Sequence, residues 1–218
     1  MIKARIPETY EGIQDRLTVD MFDRFARRMR DRGLNNVGTF LAAGITGGTV
    51  LEIGPGPGYV GLSWLERSSG GMLTGIEISD EMIRLAEKNA AECGLGIRAR
   101  YVKGNCMEMP FAECSFDAVI SNNSLHEWES PEKVFDEIHR VLKPGGLFCM
   151  VDLRRDTGFC LKWLMYYTAK PKEIRPGFLS SLAAAYTPEE LEGMMKNSRF
   201  TEFSVGKTPF ALSVRGRK

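Results

Sequence analysis

Between Val50 and Gly61 an apolar run, Val50, Leu51 and Ile53, gives way to a loop in which Gly54, Gly56, Gly58 and Gly61 alternate with Pro55 and Pro57. This reads as a buried strand that stops abruptly in a turn. Glycine admits positive φ and leaves no Cβ in the path of a ligand, and residues Tyr59 to Glu66 can start a helix whose free N–H groups face the same point. Such a loop can be a bare turn, but the guest it suits is a nucleotide-like molecule with an anionic or polar group. Glu77 closes the next apolar run, Met72 to Ile76, about 20 positions beyond Gly58, where an acid can accept both hydroxyls of a ribose.

The same strand-then-helix unit recurs downstream. Ser79 and Asp80 cap a helix that Gly94 ends, followed by a strand from Arg98 to Val102, a loop from Gly104 to Phe111 and a strand from Phe116 to Ser121. Ser130 and Pro131 open a helix with Val134, Phe135, Ile138, Val141 and Leu142 inward, which Lys143-Pro-Gly-Gly146 stops before a strand from Leu147 to Val151. The alternation predicts a doubly wound α/β sheet with helices on both faces and a ligand outside the carboxyl ends of the strands. Thr187-Pro-Glu-Glu190 predicts a capping box for a last helix to about Asn197. Phe200 to Val205 and Phe210 to Val214 alternate around Gly206-Lys207, which predicts a terminal antiparallel hairpin.

Four stretches in order carry a family resemblance: Leu51-Glu-Ile-Gly-Pro-Gly-Pro-Gly58, Gly75-Ile-Glu-Ile-Ser79, Gly104-Asn-Cys-Met-Glu-Met-Pro-Phe111, and Phe116-Asp-Ala-Val-Ile-Ser-Asn122 running on to Val141-Leu-Lys-Pro-Gly-Gly146. Together they resemble class I S-adenosylmethionine-dependent methyltransferases of the small-molecule, ubiquinone-biosynthesis-like type (methyltransferase type 11). The resemblance implies a Rossmann-like seven-stranded sheet, mostly parallel with a C-terminal antiparallel hairpin, and S-adenosylmethionine as cofactor, with S-adenosylhomocysteine as product. It implies that Gly54, Pro55, Gly56, Gly58 and Tyr59 meet the amino-acid end of the cofactor, with Glu52 anchoring the loop or a water on the amine, and that Glu77 takes the ribose diol. Ile78 and Met82 would pack on adenine, and Asn105, Cys106 and Met107 would meet its amine; many relatives carry aspartate where this chain has Asn105, so the charge-assisted part of that bond is lost. Ser121, Asn122 and Asn123 fall where cofactor and acceptor meet. His126 resembles a histidine carried by relatives in a Leu-His-His-Trp stretch, although Glu127 follows it here; it is either a general base or a structural residue near a helix start.

Residues 1 to 45 are expected to form an N-terminal helical cap ahead of a methyltransferase domain over 46–218. In the cap Met21, Phe22, Phe25, Ala26 and Met29 recur at helical spacing with Arg24, Arg27, Arg28 and Arg30 on other faces, which fits a helix packed on the domain or one lying on a membrane surface. Relatives use such helices to cover the cofactor, which makes Tyr10 a candidate contact. Residues 156 to 186 read as an inserted lid that selects a small-molecule acceptor, with Lys162, Lys170, Lys172 and Arg175 as a basic group that could instead track phosphates.

A net charge of +1 argues against a dedicated nucleic-acid binder. Five cysteines without a CxxC pair, beside two histidines, suggest neither a disulfide framework nor a metal centre. With no long apolar run and no leader pattern, a soluble, cytoplasmic protein without an integral membrane segment is expected. A nicotinamide-dependent oxidoreductase is the rival, since Gly56-Pro-Gly-Tyr-Val-Gly61 satisfies GxGxxG; yet the first glycine after the strand is Gly54, two residues out of phase. A noncatalytic cofactor-binding protein is the third reading.

Overall fold

The computed structural model describes residues 4–8 and 15–218, so Tyr10 lies outside the described residues. Seven strands form one sheet in the order β3-β2-β1-β4-β5-β7-β6: β1 Gly47–Ile53, β2 Ser69–Glu77, β3 Ala99–Lys103, β4 Phe116–Asn122, β5 Leu142–Leu153, β6 Glu202–Lys207 and β7 Ala211–Arg217. The first five in that order are parallel, and β7 runs antiparallel to both β5 and β6. Strand order reverses between β1 and β4, so the loops leaving Ile53 and Asn122 diverge and open a crevice at the carboxyl edge.

Period-two alternation divides the core. Leu51 and Ile53 of β1, Val119 of β4 and Phe148 and Met150 of β5 face a cluster shared with α5 (Pro131–Val141) and α8 (Pro188–Lys196), including Phe135, Ile138, Leu191 and Met195. Val50, Ala118, Ile120, Cys149 and Val151 face the other cluster, filled by Val37 and Phe40 of α2 (Val37–Ala42), Leu62, Trp64 and Leu65 of α3 (Tyr59–Arg67) and Ala86 and Ala90 of α4 (Asp80–Glu92). Caps set the helix starts: the Ser79 hydroxyl accepts from the Met82 amide at 3.3 Å, and Thr187 and Glu190 form the expected box.

Two expected boundaries are corrected. Lys143–Gly146 does not separate helix from strand: β5 begins at Leu142, and the pairing with β4 jumps from Phe116 opposite Leu142 to Ala118 opposite Leu147, so the glycines form an irregularity inside the strand. The hairpin turn is not at Gly206-Lys207, which pair with Ser213 and Leu212; it lies at Thr208–Phe210, closed by the Thr208 amide on the Ala211 carbonyl at 2.8 Å. Thr208 Oγ1 accepts from the Phe210 and Ala211 amides, a hydroxyl-capped turn that needs no glycine. α2 was not anticipated; its six residues are too short for a periodic signal.

Gly61 and Gly193 are both helical, yet they should respond oppositely to alanine. A Cβ at Gly61 would fall 2.2 Å from Glu52 Oε2 and 2.4 Å from Leu73 Cδ2, whereas one at Gly193 meets nothing within 4 Å. Gly61→Ala is expected to destabilise by about 1–3 kcal/mol through overpacking, and Gly193→Ala to stabilise by up to about 1 kcal/mol through helix propensity. Thermal unfolding of the two variants checks this; equal shifts of one sign would contradict the packing argument.

Candidate active site

Gly54, Gly56 and Gly58 all hold positive φ, at 64°, 51° and 82°. A Cβ at Gly54 would stand 2.4 Å from Ser124 Oγ and one at Gly58 would stand 2.7 Å from Tyr101 Oη, so the loop needs glycine both for its backbone and for its neighbours. Glu77, at the tip of β2, ties this loop down: Oε2 accepts from the Gly56 amide at 3.1 Å, and Oε1 from the Ile78 and Ser79 amides at 2.9 and 3.1 Å. Burial pushes its carboxyl upward, and these three amides oppose the shift. The crevice holds a cavity whose walls include Gly54, Pro55, Gly56, Tyr59, Glu77, Ile78, Met82, Asn105, Cys106, Met107, Asn122 and Asn123 of the residues singled out from sequence.

Four of the sequence-derived residues do not line it. Glu52 lies under the loop, 1 % exposed, and pairs in register with Gly75, which pairs with Tyr101. The bare Cα of Gly75 gives the Tyr101 ring its place, since a Cβ there would meet the ring at 2.6 Å. Glu52 Oε2 and Tyr101 Oη are both buried without a hydrogen-bond partner. Burial pushes Glu52 up to about 8, with the Gly61 amide opposing and Glu77 reinforcing, so at neutral pH it is largely a neutral acid supporting the loop from below. Gly58 faces Tyr101 and Ala86, and Ser121, 1 % exposed, donates its hydroxyl to the Ile53 carbonyl at 3.0 Å, which ties β4 to β1. His126 is the fourth.

The roof comes from α1 (Arg16–Asp31), which contributes Phe22, Phe25, Ala26 and Met29, with Leu34 and Asn35 after it. Tyr59 latches it: its hydroxyl donates to Asp23 Oδ1 at 2.8 Å, and the guanidinium carbons of Arg30 and Arg27 lie 4.6 and 5.7 Å from the ring centroid. The helical spacing of these apolar residues signalled a packed helix, though nothing in it said that the surface beneath was a cavity. Residues 156–186 supply none of the cavity walls. On the opposite wall Asn122 Oδ1 accepts from Asn36 Nδ2 at 2.8 Å, Asn123 holds a positive φ of 54°, and Asn105 Oδ1 accepts from the Met107 amide at 2.8 Å. Burial pushes the Cys106 thiol up to about 12, so it is a neutral wall group.

His126 sits in a short 3-10 turn, Leu125–Glu127, and is 2 % exposed. Asp152, at the end of β5, takes its backbone amide on Oδ2 at 2.8 Å and stands 2.7 Å from Nδ1 through Oδ1. Nε2 lies 3.5 Å from Glu8 Oε2 and 3.9 Å from Glu127 Oε1. Burial alone lowers the imidazole, but Asp152, Glu127 and Glu8 override it and push it up to about 9. The surrounding carboxylates thus favour the protonated ring. Glu8, His126 and Glu127 bring ligand atoms within 4.8 Å of one another, near enough for a small cation, although a protonated ring could not itself serve as a ligand. Glu127, unlike His126, lines the cavity; burial pushes its carboxyl up to about 7, with His126 opposing and Glu8, Glu77 and Asp152 adding.

The model of a methyltransferase domain family matches residues 51–150. A demethylmenaquinone methyltransferase of Porphyromonas gingivalis is 30% identical over 166 residues, which cover 72% of this chain and 67% of that protein. The chain belongs to the class I S-adenosylmethionine-dependent methyltransferases. A sterol 24-C-methyltransferase of Pneumocystis carinii is 38% identical over 109 residues, half of this chain but only 29% of that longer protein. The plantazolicin methyltransferase BpumL in complex with SAH shares the fold with a TM-score of 0.77 at 16% identity, over 96% of this chain and 92% of its own.

The cavity of this methyltransferase fits S-adenosylmethionine, its cofactor. An anionic acceptor at Glu77, apolar walls from Ile53, Ile76, Ile78 and Met82, and glycines where a Cβ would intrude answer a ribose, an adenine and a close-lying amino-acid end.

The His126 cluster makes stability depend on pH with a defined sign. A folded-state value of about 9, above the ordinary 6.5, means that its stabilisation is complete below about pH 6.5 and is lost as pH rises through about 9. That loss is on the order of 3 kcal/mol. Asp152→Asn should shrink it, and thermal unfolding followed from pH 6 to 10 in parent and variant, at about the spacing of one unit, checks the difference. Parallel curves would show that Asp152 does not hold the imidazolium.

Proposed function

We propose that this methyltransferase is a cytoplasmic enzyme that moves the methyl group of S-adenosylmethionine, by in-line displacement, to a small and largely apolar acceptor. What carries the reading is the closure of one cavity by the aromatic face of α1, with Phe22, Phe25 and Met29 over the glycine loop and Glu77, and Trp128 in the wall beside Glu127. A cleft partly covered in this way suits a small guest better than a polymer. Relatives whose names specify demethylmenaquinone and sterol acceptors favour an apolar molecule. No helix among the described residues is long and apolar enough to cross a membrane. The nicotinamide alternative has no support among the related proteins.

The bound cofactor supplies an electrophilic methyl on a positive sulfur. Glu77 and the glycine loop orient it, and the α1 roof excludes water, which together provide most of the rate because charge disperses in such a transition state. Where the acceptor atom bears a proton, the group that faces it across the cavity is the Glu127 carboxylate, and buried His126, held by Asp152, positions that carboxylate. Of the two sequence readings of His126, general base or structural residue, this proposal takes the second and makes it a positioning residue. The segment at 156–186 would act on acceptor entry from outside the cavity, and the cap and domain division at residue 45 stands as part of the same proposal.

S-adenosylhomocysteine and S-adenosylmethionine should raise the unfolding temperature while NAD does not; at a hundredfold excess over the dissociation constant the stabilisation is about 2.7 kcal/mol. A shift with NAD alone would overturn the reading. Glu77→Ala should weaken S-adenosylhomocysteine binding by about 1.5–3 kcal/mol, because it removes a charged acceptor and also frees the Gly56 amide. Calorimetry measures both, and screening metabolite pools with labelled cofactor identifies the acceptor.

A further inference from the structure

The helix α6 (Phe159–Thr168) has the sequence FCLKWLMYYT and none of its ten residues is buried. Phe159, Leu164 and Tyr167 are 76 %, 55 % and 62 % exposed. Its rings pack on one another instead of on the core: Phe159 on Trp163 at 6.1 Å, Trp163 on Tyr166 and Tyr167 at 5.3 and 5.8 Å, and Tyr166 on Tyr167 at 5.3 Å. A short, largely apolar helix with no fully buried residue gains little from its own backbone bonds and presents a surface in want of a partner.

Charge selects that partner. Residues 157–186 contain the basic Lys162, Lys170, Lys172 and Arg175 against a single acid, Glu173. Arg175 is occupied by the Ala169 and Tyr167 carbonyls and lies over the Tyr166 and Tyr167 rings, while the three lysines form no salt bridge among the described residues. A second copy of this chain would set lysine against lysine, and a basic partner would be repelled. A negatively charged surface that also accepts Trp, Tyr, Phe and Leu at its edge is an anionic lipid bilayer, where aromatic rings settle at headgroup depth and lysine stems reach outward to phosphates. We propose that α6, with Lys162, Lys170 and Lys172, docks this protein on the surface of anionic membranes.

Docking would place the site beside the lipid. The 3-10 turn Lys172–Ile174 packs against α1, which roofs the cavity, and α7 (Arg175–Ala184) packs against the turn that carries His126 and Glu127. The proposal does not depend on the identity of the acceptor.

The test is co-sedimentation of the full chain with phosphatidylcholine vesicles, with and without phosphatidylglycerol, together with tryptophan emission. Trp64 and Trp128 are 0 % and 3 % exposed, so a blue shift on binding reports Trp163. Binding to the phosphatidylglycerol vesicles is expected, with a blue shift and weakening by salt. Replacing Lys162, Lys170 and Lys172 by Glu should cost roughly a hundredfold or more in partitioning, and Phe159→Ser with Leu164→Ser and Tyr167→Ser should abolish the blue shift, with unfolding temperatures unchanged in both because every altered group is exposed or only half-buried. Any of three outcomes overturns the proposal: no binding by the parent chain, binding indifferent to phosphatidylglycerol or to these substitutions, or vesicle-free self-association that the serine variant removes.

Discussion

The carboxylate of Glu77 joins elements that the chain keeps apart. By accepting the Gly56 amide on one oxygen and the Ile78 and Ser79 amides on the other, it fixes the glycine loop after β1 to the tip of β2 and to the start of α4. Those amides belong to the glycine loop and to the start of α4, so the charge is held by the backbone it organises. A donor that reaches Glu77 from the cavity therefore finds a carboxylate already oriented, which limits the reorganisation needed on binding.

Below and above this tie the structure treats polarity differently. Underneath, Glu52, Gly75 and Tyr101 form a cross-strand row with two buried polar atoms lacking partners, a local cost accepted beneath a loop whose shape depends on tight contact. To one side, Asp152 at the end of β5 holds a buried imidazole, and it is a neighbouring carboxylate that reaches the cavity. The carboxylate exposed to the cavity is thus influenced by groups that do not line it.

The sheet was legible in the sequence because its signals are local: an apolar run ending in glycines, Glu77 after the next run, Ser79 and Thr187 as caps. Twelve of the residues chosen for the cofactor line the cavity, since a loop at a strand tip has one direction in which to face. Other features need distances that no local pattern holds. His126 and Asp152 meet across 26 positions, and the place of Glu52 depends on the register of three strands. The stripe Phe22, Phe25, Ala26 and Met29 announced a packed helix without saying what lay beneath it. Gly206 misled because a glycine between two alternating runs reads as a turn, whereas here it is a strand residue facing Ser213.

The roof also has a kinetic meaning. Within α1 only Val19 is fully buried, so its sixteen residues are held by the Tyr59 latch, its two arginines and a half-buried apolar face that also meets α4 and the Lys172–Ile174 turn. An element so loosely seated is a separate cooperative unit whose opening requires no change in the sheet. On the proposed reading, a guest beneath α1 leaves by a local unlatching, and the Tyr59–Asp23 bond bears on how long it stays.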